Sequence, residues 1–412
     1  MDISLSRWQA EIGERFAALL SADLAPAIRR MAEQAVPPQA DPDEDAASTR
    51  EAVWRALVEL GATRLLLPER YDGEQAGQQG AVVLAELLGR VLYQGPLLDT
   101  MTATEVMLSE ADPAGKLLRE IAEGAAVTVA VRHGGRESHS RPAEFDRPDR
   151  PGAPTIEAER RFVGFAPEAW ALLVVGRVGQ VGQVGQVGQA GRVGRAGRVG
   201  PEVHAALVPR DHPTVTWRRH DDIGRGELYA VRCSGSPVTT WFGEPDGGCA
   251  AWPQIVARAR IRHAAYLVGL SQGALDLAVG RASSRRQFGR PIGRFQALAF
   301  QLAALATRLE GARLLVRAAA WEADEGRDPR LSAAQALGMA ADLAGEITAA
   351  AVQVHGACGM TEDCDVQIYY RRAHVERGWL GAAADVRAEA VPWLAEAVRT
   401  RHSGPPDAGG TS

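Results

Sequence analysis

Arg285-Arg286-Gln287-Phe288-Gly289-Arg290-Pro291-Ile292, running on to Phe295-Gln296, is the stretch on which the fold turns. It interrupts a chain written mostly as long Ala/Leu/Val segments. A second interruption, Gln353-Val354-His355-Gly356-Ala357-Cys358-Gly359, leads on to Tyr370-Arg371-Arg372-Ala373. Glycine inside a helix costs about 1 kcal/mol and proline about 3 kcal/mol, so each phrase has to end a helix or serve a ligand. Two readings of the first phrase stand side by side. In one, Arg285 and Arg286 close a helix by complementing the negative end of its dipole, Phe288-Gly289 turns the chain, and Pro291 opens the next helix. In the other, guanidinium groups beside a glycine turn and an aromatic ring suit a pyrophosphate and an adenine.

Working outward, the flanking sequence reads as helices. Apolar residues recur at three and four spacing in about four long segments, 252–284, 291–325, 329–356 and 366–400, with the wide Ala-rich stripes that close-packed antiparallel helices need. Residues 1–125 are also helical by periodicity, from Leu5 to Leu20, Val53 to Leu60 and Val82 to Leu92. Breaks fall at Val36-Pro37-Pro38, Tyr71-Asp72-Gly73 and Gly95-Pro96. Residues 126–245 change character: short β-rich runs at Val127–Val131, Leu172–Val175, Val203–Val208 and Val215–Trp217 predict a small barrel or sandwich. Inside it, Gly176 to Gly200 carries glycine at every third position but no proline. That fits a collagen triple helix poorly and reads as a low-complexity loop between strands, whose length costs little closure entropy. The tail from Ser403 is rich in Gly and Pro and predicts disorder. The fold class is therefore mainly α with a β middle domain: an N-terminal helical domain 1–125, a β-rich domain 126–245, a C-terminal four-helix bundle 246–402 and a tail 403–412.

Composition narrows the function classes. A net charge of −5 with 46% hydrophobic residues describes a globular chain. Its basic residues are nearly all Arg, interleaved with Asp and Glu, so no concentrated face favours nucleic acid. The four cysteines form no CxxC pair and no disulfide framework, and no metal site is expected. The N-terminus lacks the basic and apolar regions of a signal peptide. No apolar run is long enough to span a membrane. A cytoplasmic protein is the simplest expectation.

The two phrases, R-x-x-F-G…F-Q at Arg285–Gln296 and Q-x-x-G-x-x-G at Gln353–Gly359, resemble the signatures of the acyl-CoA dehydrogenase flavoprotein family. The stretch Leu67-Pro68-Glu69-Arg70-Tyr71-Asp72-Gly73, followed by Leu84 to Arg90, is similar to an N-terminal phrase of the same family. The resemblance implies bound FAD, with Arg285, Phe288, Gly289, Gln296, Gln353, Gly356 and Gly359 contacting the cofactor of a neighbouring subunit. It further implies an acyl-CoA substrate, an electron-transfer flavoprotein as electron acceptor, and a homo- or hetero-tetramer with a related subunit. Glycines in the second phrase let backbone N–H groups approach phosphate oxygens. Ala357 stands where the family's middle glycine falls, and Arg372 where an acid falls. His355 is expected to pack beside the loop, and Cys358 to be a small buried thiol.

The family reaction removes an α-proton and a β-hydride from the thioester and needs a carboxylate base, worth about two to four decades of rate. Counted along the chain, one family position for that base falls on Leu380, followed by Gly381. The alternative position falls near Ala259-Arg260. Neither is an acid. Glu376 and Asp385 lie nearest the first position, each displaced around the helix. In the β region only Gly134-Gly135 and Phe162-Val163 resemble the segments that face the flavin ring. These departures imply dehydrogenation that depends on a partner's base. Two alternatives are a structural or regulatory paralogue, and an oxidase or monooxygenase on the same fold.

Overall fold

Ser6 starts the first helix by a reciprocal cap: its hydroxyl accepts from the Gln9 N–H at 3.2 Å, and the Gln9 side chain accepts from the Ser6 N–H at 3.0 Å. The helix α1 (Arg7–Ala18) then runs into a π-helical turn, Leu19–Leu24. The structure is a computed structural model that describes residues 5–28, 44–110, 115–133, 139–140, 142–145, 155–178, 203–224, 226–244 and 248–402. The glycine-triplet tract expected as a loop, except its first residues, lies outside the described residues. So do the expected disordered tail and Gly134-Gly135.

The described chain forms two compact units, each made of separated segments. One comprises residues 1–29, 76–93 and 257–412, and the other residues 30–75 and 94–256.

The second of these holds the two larger sheets and the helices α2 (Glu44–Glu59), α4 (Leu97–Leu108) and α5 (Gly115–Ala122). One sheet is built on β4 (Ala171–Val178), which pairs parallel with β1 (Val127–Ala130) and β2 (Glu144–Phe145) and antiparallel with β5 (Val203–Pro209); β8 (Thr240–Phe242) adds to β5. The other sheet runs β3 (Thr155–Gly164), β7 (Leu228–Pro237), β6 (Val215–Arg219), all antiparallel. Successive side chains of a strand point to opposite faces, and β4 uses both. Leu172 and Val174 meet Ile156, Val163 and Val231 of the second sheet. Leu173 and Val175 pack with Val106, Met107, Leu117 and Ile121 of the helices. This is the sandwich expected from the β-rich runs. The pair β3–β7 was not legible, because charges every few residues in Thr155–Gly164 mask the alternation.

The first unit is helical: α1, α3 (Gly77–Arg90), α6 from residue 257 on (the whole helix spans Trp252–Ser284), α7 (Gln296–Asp324), α8 (Arg330–His355), α9 (Val366–Glu376) and α10 (Ala383–His402). Helix α8 packs on α7, α9 and α10. The N-terminus of α3 is capped by the Asp324 carboxylate at the end of α7, which accepts from the N–H groups of Gln78 at 2.6 Å and Gln79 at 2.9 Å. Helices α3 and α6 touch backbone to backbone. A β-carbon on Gly89 would collide with the Tyr266 carbonyl oxygen, one on Gly269 with the Glu86 carbonyl oxygen, and one on Gly273 would stand 2.7 Å from the Arg90 oxygen.

Two boundaries differ from the periodicity. The expected helix 366–400 is two helices, because Gly378 and Gly381 follow α9 and Gly381 takes φ +120°, a conformation other residues rarely adopt. The expected helix start at Pro291 lies instead in a short hairpin, and α7 begins at Gln296.

Candidate functional site

The first phrase folds as that hairpin. Arg286-Gln287 (β9) pairs antiparallel with Arg290-Pro291 (β10), and the turn residues Phe288 and Gly289 take φ +48° and +77°. Positive φ at both central positions matches the twist of a tight two-residue hairpin. Open space surrounds the turn: nothing lies within 4 Å of where a Gly289 β-carbon would stand, and the Phe288 ring is 91% exposed. The hairpin braces itself from within. The Arg286 guanidinium donates to the Gly289 carbonyl at 3.0 Å, the Arg290 guanidinium lies 4.2 Å from the Phe295 ring centre, and Phe288 meets that ring edge-on at 6.2 Å. Arg285 and Gln296 are exposed at its two ends.

The second phrase ends α8. Gln353 is exposed on the last turn, and Gly356 leaves the helix at φ +66°, ψ −145°, a region essentially restricted to glycine. Residues Gly356–Met360 then form a 3₁₀ turn. Gly359 is buried there: a β-carbon would come within 2.7 Å of the Val352 carbonyl oxygen and 2.9 Å of the His355 β-carbon. His355 packs beside the loop, its Nδ1 donating to the Ala351 carbonyl at 2.8 Å. Cys358 departs from expectation. It is exposed, because the turn that buries Gly359 swings its neighbour outward.

A buried corner of the same unit collects the two positions expected for a base. Leu380 and Ala259 are both buried, 5% and 7% exposed. Arg260, beside Ala259 and 3% exposed, donates its Nε to the Leu380 carbonyl at 3.3 Å and pairs with Glu389 at 2.8 Å. The two positions at which a base would stand are thus joined through a buried guanidinium. Sequence reasoning passed over Arg260 and Glu389 as partners, since 129 residues separate them.

The two acids singled out from the sequence go elsewhere. Glu376 is buried and pairs with Arg372 one helical turn back, at 2.6 Å. Its backbone carbonyl accepts from His263 Nε2 at 2.7 Å. Burial holds His263 below the usual histidine range, and burial together with Glu376 pushes the Tyr266 hydroxyl up. Arg372, expected where the resemblance places an acid, has its counter-charge four residues on. Asp385 is exposed in the first turn of α10, where a carboxylate complements the helix dipole.

In the β unit, Phe162 sits at a bulge of β3 with φ +58°. Its ring stacks on His220 at 5.2 Å, and the Arg132 guanidinium lies 5.0 Å from its centre. Both groups come from this chain. Burial, then Arg218 and Arg161, lower the His220 pKa.

Comparison with known proteins decides the family. Residues 246–388 match the family model for the acyl-CoA dehydrogenase C-terminal domain, and residues 21–124 that for the N-terminal domain. The chain belongs to the acyl-CoA dehydrogenase family. One relative, named "Probable acyl-CoA dehydrogenase fadE25" in Mycobacterium leprae, is 29% identical over 373 residues, which cover 87% of this chain and 91% of that protein. Among solved structures, butyryl-CoA dehydrogenase of Megasphaera elsdenii superposes with a TM-score of 0.79 at 20% identity, covering 96% of this chain and all of the other. A chain of the ChsE4–ChsE5 complex of Mycobacterium tuberculosis gives 0.77 at 22% identity, covering 96% and 99%. An acyl-CoA dehydrogenase family member of this kind has the mostly helical fold with a β region described above. Among the described residues, no helix is long and apolar enough to cross a membrane.

Proposed function

We propose that this chain is an FAD-holding subunit of an acyl-CoA dehydrogenase assembly, acting in α,β-dehydrogenation of an acyl-CoA thioester with a related partner subunit that supplies the carboxylate base. The observation that carries this reading is the corner around Leu380. A guanidinium, always protonated at working pH, takes no proton from a substrate. Glu389, the carboxylate beside it, is held by that guanidinium, and Glu376 is held by Arg372. General-base catalysis requires a carboxylate within hydrogen-bond reach of the acidic C–H, and this corner offers none that is unengaged.

The opposite holds at the two turns. Arg285, Phe288-Gly289 and Gln296 present a cation, an aromatic face and an amide in open space, and Gln353 and Gly356 are exposed at the end of α8 with Gly359 buried behind them. Such donors fit a pyrophosphate and an adenine. FAD, when bound, would supply the hydride acceptor of the reaction, and its electrons would pass to an electron-transfer flavoprotein. The residues of this chain would bind and orient the dinucleotide end at a subunit interface of a tetramer. A structural neighbour solved as a complex of ChsE4 with ChsE5 supports pairing of related subunits as an arrangement open to this fold.

The test is expression of the chain alone and together with a related subunit, followed by the visible flavin spectrum and acyl-CoA-dependent reduction of an electron acceptor. The expected result is flavin in the co-expressed complex, and turnover only there. No flavin in either preparation overturns the reading in favour of a structural or regulatory paralogue. Full turnover by the lone chain overturns the partner's role, and reduction of oxygen in place of the acceptor points to an oxidase.

A further inference from the structure

Helix α10 is apolar on both of its sides. The inner side is fastened to α8. Val386 and Ala390 are buried, the Arg387 guanidinium donates to the Gly338 carbonyl at 3.2 Å and pairs with Asp342, and the Trp393 ring lies 5.1 Å from the Arg330 guanidinium. The outer side carries Ala384, Ala388, Val391, Ala395 and Val398, all exposed, with Leu394 beside them. Val391 is 60% exposed, and Leu394 and Val398 are 47% exposed each. Steps of four and three residues keep these positions on one continuous stripe along the helix. A surface helix ordinarily turns its charged residues outward. Scattered apolar residues on a surface need no reason, but a contiguous stripe marks a contact surface.

The apolar surface continues past the stripe. Between α8 and α10 lies a cleft of about 440 Å³, lined by Leu331 and Ser332 on one side and by Leu394, Ala397 and Val398 on the other. Charge at the edge of the stripe says what fits it. Asp385 and Arg399 are exposed near its two ends, and 3.6 residues per turn puts both on the same flank. The 14 positions from one to the other span about 21 Å at 1.5 Å per residue. When two copies of such a helix meet antiparallel, like flank meets like flank. Acid at one end and base at the other then face each other twice, once on each side of the middle.

We propose that the outer face of α10 is a self-association surface, on which α10 of a second copy of this chain packs antiparallel about a twofold axis at Val391. The contact is isologous, the same patch serving both partners. Val391 meets Val391 of the other copy at the axis, and Ala384 meets Val398. The small side chains of Ala388 and Ala395 on either side of the axis let the helices approach closely. Asp385 pairs with Arg399 of the other copy at both ends, which fixes direction and register more than affinity. A single helix pair buries less than the roughly 1,200 Å² of the smaller stable interfaces, so its dissociation constant is expected in the micromolar range. The surface is separate from the turns at Arg285 and Gln353. In an assembly that also contains a related subunit, a reading that rests on the function proposed above, this contact joins like to like.

The test is sedimentation equilibrium of the full chain between about 1 and 100 µM, the range that brackets a micromolar constant. Wild type should associate reversibly. V391E should shift that equilibrium at least tenfold toward the smaller species, because it sets two carboxylates against each other in an apolar contact, while circular dichroism stays unchanged. D385R and R399D should each weaken association about fivefold, and D385R/R399D should return it to within about twofold of wild type. Direction is read by cross-linking after C358S and C364S have removed the two cysteines outside the β unit. V391C should then form a disulfide with its own copy, and A384C only when mixed with V398C. A chain that stays monomeric, association that V391E leaves intact, or self-cross-linking by A384C overturns the proposal. These readouts are masses and need no flavin, so failure of the flavin reading leaves them standing and their failure leaves the flavin reading standing.

Discussion

The exposed turns of the helical unit and its buried corner differ in kind. At the turns, positive-φ backbone at Phe288, Gly289 and Gly356 faces open space, and the polar side chains around it make only local contacts, such as Arg286 to the Gly289 carbonyl. In the corner every charge is spoken for: Arg260 by Glu389 and the Leu380 carbonyl, Arg372 by Glu376. The contrast teaches that interior and surface positions of one unit answer to different rules. Interior charges are tolerated only in compensated sets, so one exchange of acid for base commits its neighbours. Surface turns carry no such coupling.

The contrast can be broken most forcefully at Glu376. Replacing it by alanine leaves Arg372 buried without its counter-charge, and urea unfolding followed by circular dichroism should show a loss of about 3–5 kcal/mol. A loss within 0.5 kcal/mol would mean that the corner is not a compensated set. Next comes an acid placed at Leu380. L380E places a carboxylate beside Gly381 at the position that the proposed function assigns to a base, and the lone chain loaded with FAD should gain about two decades in acyl-CoA dehydrogenation rate. No gain would show that the corner differs from a working site by more than one residue.

At the rim the expected pattern reverses. R285M should leave unfolding unchanged within about 0.5 kcal/mol yet weaken FAD binding about tenfold, as expected for loss of one charge-assisted contact; equilibrium dialysis measures it. Equal binding by both proteins would return Arg285 to the role of a helix terminus.

The smallest effect extends the comparison to the β unit. Burial pushes the Glu168 carboxyl up to about 7 from its ordinary 4.5, with Arg50 lowering it and Glu227 raising it. Because the folded value is the higher one, the stabilisation is complete below pH 4.5 and is lost as pH rises through 7. Wild type should therefore lose about 1–2 kcal/mol between pH 5 and pH 8 that E168Q does not lose. Parallel curves for the two proteins would place Glu168 outside the buried network.

Legibility followed the range of the interactions. The hairpin at Phe288-Gly289 was readable as a turn because its conformation is decided by adjacent residues, and the strands β1, β4 and β5 because they alternate or run apolar throughout. The split after α9 was missed, since glycine tolerates a helix pattern until the tertiary fold demands φ +120° at Gly381. Cys358 was misread because burial within a turn depends on which way the turn rolls, which composition does not encode. The pairing of Arg260 with Leu380 and Glu389 spans more than a hundred residues, and periodicity carries no signal over that distance.

The glycine contact between α3 and α6 also sets a schedule. Gly89 and Gly269 lie 180 positions apart in the chain, and the helices they belong to interlock only when both exist. At roughly 5–20 residues per second on the ribosome, the N-terminal helices wait on the order of ten seconds or longer for α6. Residues 94–256, the larger part of the other unit, are synthesised during that interval. The face of α3 that meets Tyr266 and Gly269 therefore stays without its partner for that interval.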